Sequence, residues 1–239
     1  MSATYKVLSA VLSYPTAELQ GAAKELLHVL DTEALLPVRQ GQAVAALIAG
    51  IAASDLLEAQ ERYVDLFDRT RSLSLHLFEH VHGESRDRGQ AMVSLLERYQ
   101  TAGLDVATRE LPDYIPLFLE FLSTRTPAAA REDLGECAHI IAVLGERLRR
   151  RGSDYAAVFE ALVGVAHAAP DSAALAELRQ EKLEDPHDLA ALDRSWEEAE
   201  VRFGPGDAAS DGCPRAHDIL RRMDVPVMPA SASSLEAKS

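Results

Sequence analysis

The sequence predicts an all-α protein: a single compact multi-helix domain of about ten helices over residues 1–204, then a low-complexity, mostly disordered C-terminal tail over 205–239. Three observations predict this. Apolar residues recur at helical spacing through most of the chain, and no convincing run of alternating β-branched residues marks a strand. Ala and Leu are abundant while aromatics are only 5%, a composition that leans toward helix. After Gly204 the chain turns to Ser, Ala, Pro, Gly and Asp, with too few large apolar side chains to offset the entropy of ordering. With 239 residues, 47% of them hydrophobic, the chain can bury a substantial core. No fixed-period repeat suggests a solenoid.

Each element follows from local signals. Residues 3–14 form a first helix, stopped by Pro15. Thr16 can cap a second helix running to about Asp31. A third spans about Pro37 to Ala53, and Ser54 or Asp55 caps a fourth, "LLEAQERYVDLFDRT". A short fifth carries the Leu73/Leu77/Val81 stripe, with Gly83 where a helix would end. The sixth, about Asp87 to Ala102, stops at Gly103. In "LPDYIPLFLEFLST", Pro116 is tolerable only in a first turn, which puts Asp113 at or near the N-cap of the seventh. "PAAAREDLGECAHIIAVLGERLRRRG" is the eighth and longest, its basic end placed where the helix dipole favours cations. Ser153 can cap a ninth to about Ala169, and two more follow near 172–183 and 188–203.

The formal net charge of −14 disfavours a nucleic-acid surface, which needs clustered Lys and Arg. It suits either simple solubility or the steering of a basic partner. Cys137 and Cys213 lie far apart and in no CxxC motif, so neither a disulfide framework nor a thiolate zinc site is implied. No basic n-region precedes a small-residue cleavage site, and no apolar run is long enough to span a membrane. A cytoplasmic location is expected.

Candidate chemistry is sparse. His76 and His80 are four apart and would share a helix face, but His82 lies about 200° round from His80. The three histidines therefore cannot converge on one ion from one straight helix. Glu79/His82 and Glu136/His139 are two Glu-x-x-His pairs, the pattern of di-iron carboxylate bundles. Against that enzyme reading, Glu136 and His139 lie off the Leu134/Ile141/Leu144/Leu148 stripe, and Gly83 follows His82 directly. There is no GxSxG elbow, Gly-rich phosphate loop or dinucleotide fingerprint, and Cys137 reads as packing inside a helix. No catalytic residue, metal site or cofactor is expected.

Interaction surfaces are better supported. Tyr63, Leu66 and Phe67 recur at helical spacing, as do Tyr114, Leu117, Phe118, Phe121 and Leu122. The same residue types build a core or line a groove for an amphipathic peptide helix. If they line a groove between the 55–70 and 112–124 helices, Tyr63, Leu66, Phe67, Tyr114 and Leu117 supply apolar contact. Asp68, Asp113 and Glu120 could then meet basic peptide residues. Glu84, Arg86, Asp87 and Arg88 form a charged corner, which alternating charge favours locking by mutual pairing rather than facing a partner.

"ERYVDLFDRTRSLSLHLFEHVHGESRDRGQAM" at 61–92 and "ELPDYIPLFLEFL" at 110–122 resemble the NarJ family, assembly chaperones of respiratory nitrate reductase. "LSAVLSYP" and "WEEAEVRFG" fit too, so the resemblance covers about residues 5–204. It implies a cytoplasmic, non-catalytic protein with a fold like those of the TorD and DmsD chaperones. The implied partner is the apo form of the nitrate reductase catalytic (alpha) subunit, bound notably at its N-terminal segment. The chaperone would hold it competent for molybdenum cofactor insertion and delay its docking at the membrane. The client could also be another molybdoenzyme. In the wider family a Tyr-x-x-Leu-Phe segment and a Pro-Asp-His segment border the peptide groove. Tyr63, Leu66 and Phe67 match the first. Pro112 and Asp113 match the second, but Tyr114 stands where that family often has His, so no role of that histidine is carried over.

Overall fold

A computed structural model describes residues 2–82, 86–104, 106, 110–166 and 169–180; the side chains of residues 82, 86 and 87 are outside the description. Among these residues there are twelve α-helices and one 3-10 turn. They are α1 Ala3–Leu12, α2 Ala17–Gly21, α3 Ala23–Glu33, α4 Val38–Ala53, α5 Leu56–Phe67, the turn Arg71–Leu73, α6 Glu79–His82, α7 Arg86–Thr101, α8 Ile115–Thr124, α9 Pro127–Glu136, α10 Ala138–Arg150, α11 Ala156–Val165 and α12 Ser172–Gln180. No described helix is long and apolar enough to cross a membrane. The chain divides into two units, Met1–Trp196 and Glu197–Ser239, and all described residues belong to the first. The expected helix at 188–203 and the tail at 205–239 lie outside the described residues.

Two helix pairs carry the core. α1 packs on α8, and α10 packs on α11, which in turn packs on α4. α8 is buried nearly all round, from Ile115 to Ser123, as its apolar sequence requires. Gly145 lets α10 and α11 approach closely, since a Cβ there would stand 3.1 Å from that of Phe159. Arg147, 3% exposed, crosses from α10 to donate to the carbonyls of Ser72 and Leu178, both at 2.8 Å. It thereby ties the 3-10 turn and α12 to the same helix.

Several expected signals are present as read. Thr16 accepts from Leu19 N–H, and Asp55 accepts from Leu57 N–H and Glu58 N–H. Pro116 sits in the first turn of α8. Gly103 ends α7 with φ +78° and a bond from Leu104 N–H to Tyr99 O, closing a Schellman turn.

Others differ. The second expected helix breaks at Ala22, beside Gly21, whose poor helix propensity weakens that turn. The long eighth helix breaks at Cys137 (φ −108°, ψ 10°), so this cysteine sits at the junction of α9 and α10, not inside a helix. It remains packing, as expected: the buried thiol donates to Leu134 O at 3.4 Å, and burial pushes its pKa up to about 12. The short fifth helix shrinks to α6, because the residues before it, 74–78, form a bend and a turn. There His76 pairs with Tyr114 in an isolated antiparallel bridge. Leu77 N–H donates to Asp113 O at 3.0 Å, and Ile115 N–H to Leu75 O at 2.8 Å.

The start of α1 is satisfied from a distance. Glu33, at the end of α3, accepts from Ala3 N–H (2.7 Å), Thr4 N–H (2.8 Å), Thr4 Oγ1 (2.6 Å) and Ser2 Oγ (2.5 Å). Burial alone would raise its pKa, but these bonds outweigh burial and hold it at about 2. A depressed carboxylate contributes stability above its unfolded pKa of 4.5 and loses it as pH falls through about 2. Glu33→Gln should therefore melt below wild type at neutral pH. The gap should close as pH falls from 4.5 to about 2, which a pH series of thermal unfolding checks.

Candidate peptide-binding site

α5 is amphipathic, and its inner face is Ala59, Tyr63 and Phe67, all buried. That face builds an aromatic cluster. Tyr63 lies 4.9 Å from Phe67 and 5.6 Å, edge-on, from Tyr14; Phe67 meets Tyr155 edge-on at 5.2 Å. Tyr63 donates its hydroxyl proton to Leu12 O at 2.9 Å. It lies 3.3 Å from the hydroxyl of Tyr114, which joins the end of α1, α5 and the entrance of α8. Burial, foremost, raises the Tyr63 pKa well above the usual phenol value, so the hydroxyl stays protonated.

The expected site residues divide between core and surface. Tyr63, Phe67 and Leu117 are core residues at 4%, 5% and 7% exposure. Tyr114 is half-buried, against Tyr63 and His76. Asp68 and Glu120 are exposed. Burial raises the Asp68 pKa, a sign that its carboxylate lacks full hydration. Leu66 is half-buried and lines a hollow beside the aromatic cluster.

Asp113 lies near the N-cap of α8, one residue before Tyr114, which takes the cap position itself. It is not a surface carboxylate: it is 0% exposed. Its oxygens accept from Phe78 N–H at 3.1 Å and lie 3.2 Å from His76 Nδ1. Arg88 Nη2 stands 3.9 Å away. Asp113 thus pins the 74–78 segment to the entrance of α8, and in this conformation no partner can touch it. The corner keeps an imidazole, supplied by His76 across the bridge from Tyr114.

The charged corner is partly described. Arg88 pairs with Glu79 at 3.1 Å and approaches Asp113, reaching back to α6 and α8. Glu84 and the side chains of Arg86 and Asp87 lie outside the described residues. The two Glu-x-x-His pairs have other partners: Glu79 holds Arg88, and Glu136 holds Arg98 at 2.8 Å. His76 and His80 do not share a helix, and His80 Nε2 bonds to Ser74 O at 2.8 Å. Among the described residues no group of three or more His, Cys, Asp or Glu is placed to hold a metal ion.

The hollow that Leu66 enters is a cavity of about 290 Å³ between α4, α5 and the α10–α11 turn. Leu47, Ile51, Ala59 and Tyr155, all buried, make an apolar floor. Gly50, Arg62, Asp65 and Asp154 stand round it. Gly152, at φ +67°, turns the chain out of α10 and brings Tyr155 to the floor. The spacing of Tyr63, Leu66 and Phe67 did not separate the two faces of α5. The α4 and turn residues were missed altogether, since they lie far away in sequence and only Gly152 carries a local signal.

Comparison with known proteins agrees with this fold. Residues 18–161 match the family model described as nitrate reductase delta subunit. The chain is 41% identical to the nitrate reductase molybdenum cofactor assembly chaperone NarJ of Escherichia coli, over 88% of this chain and 89% of that one. It is 37% identical to the probable nitrate reductase molybdenum cofactor assembly chaperone NarW of Escherichia coli, over 94% of each. A probable NarJ chaperone of Bacillus subtilis is 30% identical over 67% of this chain and 86% of its own. The extent of these matches, carried on an all-helical domain, shows that the chain belongs to the NarJ family of nitrate reductase molybdenum cofactor assembly chaperones.

Proposed function

We propose that this protein binds the catalytic (alpha) subunit of respiratory nitrate reductase in its apo form, acting in the cytoplasm and without catalysis of its own. It holds the N-terminal segment of that subunit as an amphipathic helix, keeps the subunit competent for molybdenum cofactor insertion, and delays its membrane docking until then. Binding favours one client conformation by mass action. The carrying observation is the apolar cavity on α5, lined by Leu66 and floored by Ile51 and Tyr155, in a chain of this family. On this reading the client's apolar side chains enter on the α4–α5 side of α5, and Tyr114 with Asp68 borders the site toward the entrance of α8. Asp68, with Tyr114, remains the candidate partner for a basic client residue, and Glu120 lies further along α8.

Calorimetry with a synthetic peptide of the client's N-terminal segment tests this. A micromolar affinity, about −8 kcal/mol, is within reach of a few buried anchors. Leu66→Ala should weaken binding by roughly tenfold, the usual effect of truncating an anchor, with the melting temperature little changed. Unaltered affinity in that variant would remove Leu66 from the site. Pull-down from cells with the client identified tests the client itself; recovery of a different molybdoenzyme in place of nitrate reductase would overturn the client assignment.

A further inference from the structure

His76 sits where the segment 74–78 meets the entrance of α8. Its backbone pairs with Tyr114, its ring lies 5.4 Å from the Tyr114 ring at a tilt of 35°, and its Nδ1 reaches the buried carboxylate of Asp113. The side chain is nevertheless 24% exposed, so it can exchange protons without unfolding. The hydrogen bonds beyond it have a fixed polarity. Leu12 O can only accept, so Tyr63 donates to it and therefore accepts from the Tyr114 hydroxyl. The Tyr114 oxygen, its proton directed at Tyr63, is left able only to accept from a further donor. Its ring position depends on the residues that hold it, namely Tyr63 on one side and His76 on the other.

We propose that His76 is a positioning residue, which acts through Asp113 and Tyr114 to set the client-binding corner and makes client affinity respond to pH. This rests on the reading that Tyr114 borders the client site. The groups facing the imidazole are Asp113 and Tyr114 at the entrance of α8, Glu79 from α6 and Arg88 from α7. Burial lowers the imidazole pKa, but the hydrogen bond and charge of Asp113, with the charge of Glu79, outweigh burial and Arg88 and raise it above 6.5. When protonated, His76 makes a charge-assisted bond to Asp113 and presents a cation to the Tyr114 ring. A raised pKa means that this stabilisation is complete below the unfolded imidazole value and is lost as pH rises through the folded one. A corner ordered in advance binds with less entropy cost, so the peptide should bind more tightly as His76 takes up its proton.

The experiment compares wild type with His76→Asn, which keeps a donor toward Asp113 but cannot titrate, and His76→Leu, which keeps neither property. Thermal unfolding, the imidazole NMR titration and calorimetry with the N-terminal client peptide are followed from about pH 8.5 to about pH 6, across the ordinary imidazole range. Wild-type affinity should rise several-fold as pH falls, in step with the imidazole titration. His76→Asn should bind with little pH dependence, and His76→Leu should bind weakly throughout. Equal pH slopes in wild type and His76→Asn would overturn the proposal. So would a pH-dependent gap in melting temperature with no change in affinity, which would make the pair merely structural. Failure of wild type to bind the peptide at any pH would overturn the client reading and the affinity effect together, while the imidazole titration and melting gap would still report the contact with Asp113.

Discussion

Leucine at Gly50 should leave the protein folded and weaken client-peptide binding by more than about tenfold, a loss above roughly 1.4 kcal/mol. Gly50 lies in α4 on the wall of the cavity, and a Cβ there meets nothing within 4 Å. A leucine side chain would therefore grow into open space and fill much of the hollow. Glycine is also a poor helix former, so the change should raise helix stability by up to about 1 kcal/mol. Few substitutions separate binding from folding this cleanly, because truncating a wall residue removes core contacts along with the site. Calorimetry and thermal unfolding of the same preparation decide the matter. A variant that melts at or above wild type and still binds with full affinity would show that the cavity is not where the client's apolar side chains go.

Asp113→Ala should lose about 3–5 kcal/mol of stability, the usual cost of removing one partner from a buried charged cluster. The carboxylate is fully buried and holds Phe78 N–H and His76 Nδ1, with Arg88 close by. Alanine leaves Phe78 N–H and His76 Nδ1 without that acceptor, and only the backbone bonds of Leu77 and Ile115 then tie the 74–78 segment to the entrance of α8. The melting temperature should fall by roughly 6–20 °C for a domain of this size. Asp113→Asn keeps one oxygen for Phe78 N–H and should recover part of that loss. The experiment also judges the role that spacing suggests for this residue. If Asp113→Ala melted like wild type but bound peptide poorly, Asp113 would be a client contact, and the conformation that buries it would not be the binding one.

The fate of Asp113 shows how far local signals reach. "LPDYIP" reads as a helix start, and a helix does start there, with Pro116 in its first turn. An Asp two or three residues ahead is an ordinary cap. The competing partner is a peptide N–H at Phe78, thirty-five residues earlier, which nothing in the local pattern reveals. The histidine stretch shows the same limit. Read as Leu73/Leu77/Val81 its residues fit a helix face, yet Val81 is 51% exposed. Leu73, Leu75 and Leu77 are all buried, and so are Ser72 and Ser74, because the 3-10 turn and the bend after it follow neither a helix nor a strand period. The backbone bridge from His76 to Tyr114, distant in sequence, holds the stretch in that form.

By itself the sequence determined the helical class, the caps at Thr16 and Asp55, the Gly103 stop, and the family, because these rest on short-range backbone chemistry or on a long contiguous string of residues. The tertiary structure alone decided which face of α5 is core and which is open. Tyr63 and Phe67 are buried against Tyr14 and Tyr155, while Leu66, between them in sequence, faces a hollow whose walls come from α4 and the α10–α11 turn. Neighbouring residues on one helix surface meet different surroundings, and only the packing of helices distant in sequence settles which of them water and a partner can reach.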